Sequence, residues 1–241
     1  MPHTPEQVTS LRGTLISDGR ILRVAGLGVL AATIIFYFSA SLILGISGLF
    51  IAFWHALALA ILILMGYEGY FRAQRAIRKR RPVKVISVRA DDLISFAPRW
   101  VWVYGVLYYF LIFFPAGLLV ESKRYELFVL GGACLWPLSL PICLVAPTVC
   151  PPQWRLYSPV DRSTRLLALI QQLDDGVCCL PSLHAAYSAY ASTFYPKHFA
   201  LIAVPLVVCV SCLFVKQHSI VDLPLGLAIG YAVGYLVNLH M

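Results

Sequence analysis

Two histidine-containing stretches stand out in the second half of a largely apolar sequence. The first centres on His184, which follows Pro181 and Ser182, and the second centres on His218, which lies four residues before Asp222. Ionisable residues within apolar segments are energetically costly and are usually functional. We therefore expect the rest of the chain to bring the two histidines and the aspartate together at one site.

The first stretch is typical of a helix start. Ser182 is suited to cap a helix, and Pro181 is suited to its first turn. The free N–H groups and the positive dipole at such a start form an anion site. His184 would then stand beside a bound phosphate. The alternative is a capped helix with one histidine packed nearby.

The second stretch combines a histidine with a carboxylate. On a helix His218 and Asp222 would share one face. The carboxylate would fix the tautomer of the imidazole and stabilise its cation, which leaves the other ring nitrogen to attack. The same face continues into a series of glycines that allows another helix to come close: Gly226, Gly230 and Gly234. The alternative is a purely structural hydrogen bond between the two side chains.

The composition indicates an integral membrane protein. Of the 241 residues, 60% are hydrophobic and only 12% are charged, and several apolar windows approach the ~20 residues that span a bilayer. The sequence predicts an all-α, polytopic, multi-pass bundle of six or seven spans, in the plasma membrane or, in a bacterium, the inner membrane. The predicted spans cover about 22–44, 48–67, 100–120, 126–146, a short segment from Pro181 or Ser182 to Pro196, 199–215 and 219–238.

The chain divides into four predicted regions. A polar N-terminal segment (1–20) precedes the N-terminal membrane spans (21–71), a basic and amphipathic loop (72–99) and a membrane core (100–241) that carries both histidine stretches.

A concentrated positive charge precedes the membrane core. Seven Lys and Arg residues lie between Arg72 and Lys84 without an acid among them. Such a run beside membrane spans indicates a cytoplasmic loop in contact with anionic lipids. Nucleic-acid binding is not expected, because the run has no interleaved aromatic residues and no folded domain around it. Two predicted spans separate it from the polar segment 147–182, so both lie on one side, and the positive-inside rule favours the cytoplasmic face.

The seven cysteines match no zinc-binding spacing, and an odd number cannot all pair internally. We interpret them first as small apolar residues in helices. Cys150 would pair with Cys178 or Cys179 only if their loop faces an oxidising compartment.

Together the two histidine stretches resemble a known family. The sequence P-S-L-H, followed about 34 residues later by K-Q-H-x-x-x-D and a glycine-containing helix, is similar to the type 2 phosphatidic acid phosphatase superfamily. The resemblance covers roughly residues 95–240 and is closest to the branch of inositol-phosphorylceramide synthase-like phosphotransferases.

The resemblance implies a mechanism and roles for individual residues. It makes His218 the nucleophile that takes the phosphoryl group, Asp222 the residue that orients it, and His184 the acid that protonates the leaving alcohol. It implies no metal or other cofactor, and a lipid-linked phosphate as substrate.

The chain departs from the wider family in its phosphate-binding cations. The family has an arginine six residues before the nucleophile, whereas this chain has Cys212 there. The motif with a lysine and an Arg-Pro pair is also missing in its usual form. The candidate phosphate-binding residues are therefore Lys216, Arg155 and the helix cap Ser182.

Three alternatives stay open at the level of sequence. The phosphoryl or phospho-headgroup acceptor is water in a phosphatase and a lipid alcohol in a transferase. A proton-coupled transporter would use the same ionisable residues as a relay. The missing arginines also fit a catalytically inactive scaffold.

Overall fold

The computed structural model describes residues 18–45, 52–80, 82–120, 123–174 and 176–240, and within them the fold is almost entirely helical. Two strands of two residues each and several short 3₁₀ turns connect the helices. The described helices are α1 (Asp18–Leu44), α2 (Ala52–Arg80), α3 (Tyr108–Leu118), α4 (Arg124–Val145), α5 (Arg162–Leu173), α6 (Leu183–Ser192), α7 (Ala200–Phe214) and α8 (Asp222–Leu239).

Among the residues that the structure describes, four helical segments are long and apolar enough to cross a membrane: Ala52–Lys79, Pro98–Leu118, Arg124–Val145 and Asp222–Leu239. This number is smaller than the six or seven spans predicted from the sequence. The predicted fifth span is α6, whose ten residues cover only ~15 Å at 1.5 Å per residue. Helix α7 has 15 residues and covers ~22 Å of a hydrocarbon core ~30 Å thick.

The basic segment begins within a helix rather than in the predicted loop. Helix α2 continues to Arg80, so the residues from Arg72 to Arg80 lie on its last turns. Lys and Arg are good helix formers and are favourable at the negative end of the helix dipole, and the first proline follows only at Pro82.

A small parallel sheet joins the end of the basic segment to the segment 147–182. Strand β1 (Lys84–Val85) pairs with β2 (Thr148–Val149), with Lys84 opposite Thr148. The flanking bond from Ile86 N to Val149 O is 2.9 Å long. The prediction that these two segments lie on the same side of the bundle is therefore confirmed.

The glycine face of α8 packs directly against α6. A Cβ atom at Gly226 would lie 2.3 Å from Ser182 O, and one at Gly230 would lie 2.1 Å from Ala186 O. Neither distance is possible for real atoms, so only glycine permits this approach. The predicted close helix contact is confirmed, and it places the first turn of α6 beside the first turn of α8.

Candidate active site

His218 and Asp222 meet as the sequence predicts, but in a turn rather than along a helix. Helix α8 begins at Asp222, and His218 lies in the turn before it, with Nδ1 3.2 Å from Asp222 Oδ2. Asp222 is fully buried, and the same oxygen accepts a hydrogen bond from Ser219 N at 3.1 Å. With Nδ1 held by the carboxylate, Nε2 of His218 is the nitrogen that remains for chemistry.

The electrostatics of His218 are dominated by this carboxylate. Burial alone would lower the pKa of His218, but the charge of Asp222 and its hydrogen bond outweigh burial and raise that pKa to about 9. The imidazolium form of His218 is therefore favoured at neutral pH.

The start of α6 has the predicted cap. Ser182 is the residue before the helix, and its hydroxyl accepts a hydrogen bond from Ala185 N at 3.3 Å. Ser182 N donates in turn to Asp222 O at 3.1 Å. This bond ties the starts of α6 and α8 together and fixes the position of His184 relative to the turn that carries His218.

The two histidines face each other across this junction. Their ring centroids are 5.6 Å apart, and a ring nitrogen from each, together with Cys212 Sγ, lies within a 4.8 Å span. Cys212 lies six residues before His218 in the sequence. The sequence-predicted pair is thus close enough to act on one bound group.

Two tyrosines that were not predicted from the sequence hold the ring of His184. Tyr104 stacks on it with centroids 4.3 Å apart, and Tyr108 lies at 4.6 Å. Tyr104 belongs to a π-helical turn (Val103–Leu107) that leads into α3, and such turns occur often at functional sites. Their four-residue spacing, which places both rings on one helix face, was the available signal.

Lys216 is buried close to the site, and its ammonium group is already hydrogen-bonded. Only 8% of it is exposed, and its ammonium donates to Asp91 O at 2.6 Å while lying 4.9 Å from the ring centre of Trp154. Its φ of +57° is uncommon for a residue other than glycine and is typical of strained functional turns. The ammonium therefore contributes charge from a fixed position.

Arg155 contacts the turn that carries His218 through Gln217. Its guanidinium donates to Asp174 O at 2.9 Å and to Gln217 Oε1 at 3.4 Å. A Cβ at Gly176 would lie 2.1 Å from Arg155 Nη2, so glycine makes room for this arrangement. Gln217 Nε2 is buried and has no hydrogen-bond partner among the described residues, which leaves an amide donor next to His218.

Asp91, which the sequence places only in an amphipathic loop, supports the turn that carries His218. It is 1% exposed, and its carboxylate accepts hydrogen bonds from Ser219 Oγ at 2.6 Å and Ile220 N at 2.9 Å. A third bond, from Val88 N at 2.8 Å, holds its own loop. The scarcity of acids, 11 in the whole chain, was the only sequence signal.

No family model matches the chain, and the comparisons with curated proteins and with solved structures find no match either.

Proposed function

We propose that this chain is a multi-pass membrane enzyme that removes or transfers the phosphoryl group of a lipid-linked phosphate through a phospho-histidine intermediate. The observation that carries this proposal is the pairing of His218 with buried Asp222 at 3.2 Å, with His184 facing it from a capped helix start. Membrane lipids are the expected surroundings, and the four long apolar helices support that setting.

In the first step, neutral His218 attacks phosphorus through Nε2, which forms an N–P bond as the P–O bond to the lipid alcohol breaks. His184 donates a proton to the leaving oxygen, and Asp222 stabilises the positive charge that develops on the imidazole of His218. In the second step a water or a second alcohol attacks phosphorus and breaks the N–P bond. His184 accepts the proton of the incoming hydroxyl, so both histidines return to their starting states.

The surroundings of the pair suit a phosphate more than a proton relay. Lys216, Arg155 and the unpartnered amide Nε2 of Gln217 lie within or against the turn that carries His218. Phosphoryl transfer needs positive charge and N–H donors around the phosphoryl oxygens, whereas a proton relay needs neither. This difference favours the enzyme over a proton-coupled transporter.

The basic end of α2 also bears on the orientation of the enzyme. Because β1 follows that end and pairs with β2, the basic residues lie on the same side of the bundle as the site. The positive-inside rule then favours the cytoplasmic face for the phosphate chemistry.

The raised pKa of His218 predicts an alkaline-shifted pH dependence. Since the neutral imidazole of His218 is the nucleophile, kcat/KM for an aryl phosphate, whose leaving group needs no proton from His184, is expected to rise with pH until about pH 9 rather than level off near 6.5, the ordinary value for histidine. In Asp222→Asn the charge that raises the pKa is absent, so the remaining activity should level off at lower pH. A pH–rate profile of both proteins checks this, and identical inflections would contradict it.

The direct test of the proposed function uses purified protein in detergent with a panel of lipid phosphates. Phosphate release is measured with and without a chelator, and in the presence of lipid alcohols. Release that survives the chelator supports the proposal, and a phosphorylated alcohol identifies a transferase. No turnover of any member of the panel would contradict it.

A further inference from the structure

Two cysteines from distant parts of the chain meet the catalytic carboxylate. Cys150 follows β2, Cys179 lies in the loop before α6, and Asp222 opens α8. One ligand atom from each of these residues lies within a 4.8 Å span, and all three residues are buried. All seven cysteines lie in the described part of the chain, and none of them forms a disulfide there. In the sequence, Cys150 and Cys179 indicate only a possible disulfide pair, and no spacing indicates that Asp222 lies beside them.

One oxygen of the Asp222 carboxylate is available to a ligand. Asp222 Oδ2 is used by His218 and Ser219, whereas Oδ1 has no hydrogen-bond partner in the part of the chain that the structure describes. Buried carboxylate oxygens nearly always have a partner. Each thiol donates to one backbone carbonyl oxygen, Cys150 to Gln217 O at 3.3 Å and Cys179 to Gly176 O at 3.2 Å, and a thiol is only a weak hydrogen-bond donor.

We infer that Cys150, Cys179 and Asp222 form a binding site for a thiophilic divalent cation of the zinc class, distinct from the pair of histidines that carries the proposed chemistry. Zn²⁺ takes cysteine sulfur and carboxylate oxygen at ~2.0–2.3 Å in tetrahedral geometry, and ligands around one such ion lie less than ~5 Å apart. Binding displaces one proton from each thiol, so two protons are released for each ion bound. Three protein ligands leave a fourth position for water.

Occupation of this site is inhibitory. A divalent ion on Oδ1 cancels the negative charge that holds His218 in place and stabilises its cation. This consequence for activity rests on the proposed function, whereas binding of the ion does not.

A second cluster with similar spacing provides the competing explanation for any metal binding. It consists of His184, Cys212 and His218 and therefore overlaps the proposed catalytic pair. It contains one thiol instead of two, so single cysteine substitutions distinguish the two clusters.

The test uses purified full-length protein titrated with Cd²⁺, whose thiolate complexes absorb in the ultraviolet, and with Zn²⁺ in competition. We expect one ion per protein with the absorption of two thiolates, and release of the ion by a chelator. Cys150→Ser and Cys179→Ser should each weaken binding more than tenfold. Cys134→Ser, at an exposed thiol on α4, and Cys212→Ser should bind as the wild type does.

Three results would overturn the inference: unchanged binding in both Cys150→Ser and Cys179→Ser, loss of binding in Cys212→Ser alone, or a signal that only a thiol reductant reverses, which indicates a disulfide. Cys150→Ala serves as a second variant if Cys150→Ser fails to fold. In the activity arm, Zn²⁺ should inhibit phosphate release by the wild type but not by Cys150→Ser. If no lipid phosphate is turned over, the proposed function fails, but the Cd²⁺ titration still decides the metal site.

Discussion

A His218→Ala variant is expected to lose phosphate release from lipid phosphates by a factor on the order of 10⁴ or more, as happens when a covalent nucleophile is removed. The reason is that Nε2 of His218 forms the bond to phosphorus in the proposed mechanism, and alanine has no atom that can replace it. The loss should appear in kcat, because the cations that bind phosphate stay in place. Rapid quenching with labelled substrate should trap acid-labile phosphate on the wild-type protein and none on the variant.

The matched control is His198→Ala. His198 is exposed in the turn before α7, so its removal should change neither turnover nor trapping. Phosphate release that persists in His218→Ala would contradict the assignment of the nucleophile. Trapped phosphate on that variant would place the intermediate on another residue.

The parts of the site that can be predicted from the sequence are those that depend on short spacing. Ser182 is expected to cap a helix because serine before an apolar run satisfies free N–H groups. The contact of His218 with Asp222 is expected from their four-residue separation, although a turn and not a helix produces it. The close contact made by the glycine face of α8 is also expected from short spacing, because small residues at every fourth position lie on one side of a helix.

The parts that the sequence does not predict depend on contacts between distant segments. Asp91 lies 128 residues before Ser219, and no local pattern indicates that the two are hydrogen-bonded. The cluster of Cys150, Cys179 and Asp222 is likewise formed only when β2, the loop before α6 and the start of α8 come together. The short fifth segment ends somewhat before Pro196, because α6 ends at Ser192 and Pro196 lies in the turn that follows.

These distant contacts show that the turn carrying His218 is held from two sides. Asp222 holds it from the start of α8, through His218 and Ser219. Asp91 holds it from the segment that follows the basic end of α2, through Ser219 and Ile220. Burial of both carboxylates strengthens these bonds, and each is costly to leave unpaired. The proposed nucleophile His218 is therefore held in position by two acids, of which only Asp222 contacts it.

An Asp91→Asn variant should lower kcat roughly 100-fold with little change in KM, since a displacement of about 1 Å in a catalytic group has an effect of that size. The asparagine side chain would keep the volume but place an amide N–H₂ where the carboxylate accepted a hydrogen bond. Asp91→Ala should lower kcat further than Asp91→Asn, because it leaves Val88 N, Ser219 Oγ and Ile220 N without their acceptor. We expect that loss to reduce the free energy of unfolding by about 3 kcal/mol or more.

The neighbouring Asp92 provides the control, because it lies in the same 3₁₀ turn but is exposed. Asp92→Asn should match the wild type in kcat and in thermal unfolding. Ser219→Ala removes one of the two hydrogen bonds between Asp91 and the turn, so its kcat should lie between that of Asp91→Asn and that of the wild type. If Asp91→Asn lowered stability but left kcat unchanged, Asp91 would be a structural residue only, and the turn would hold His218 through Asp222 alone.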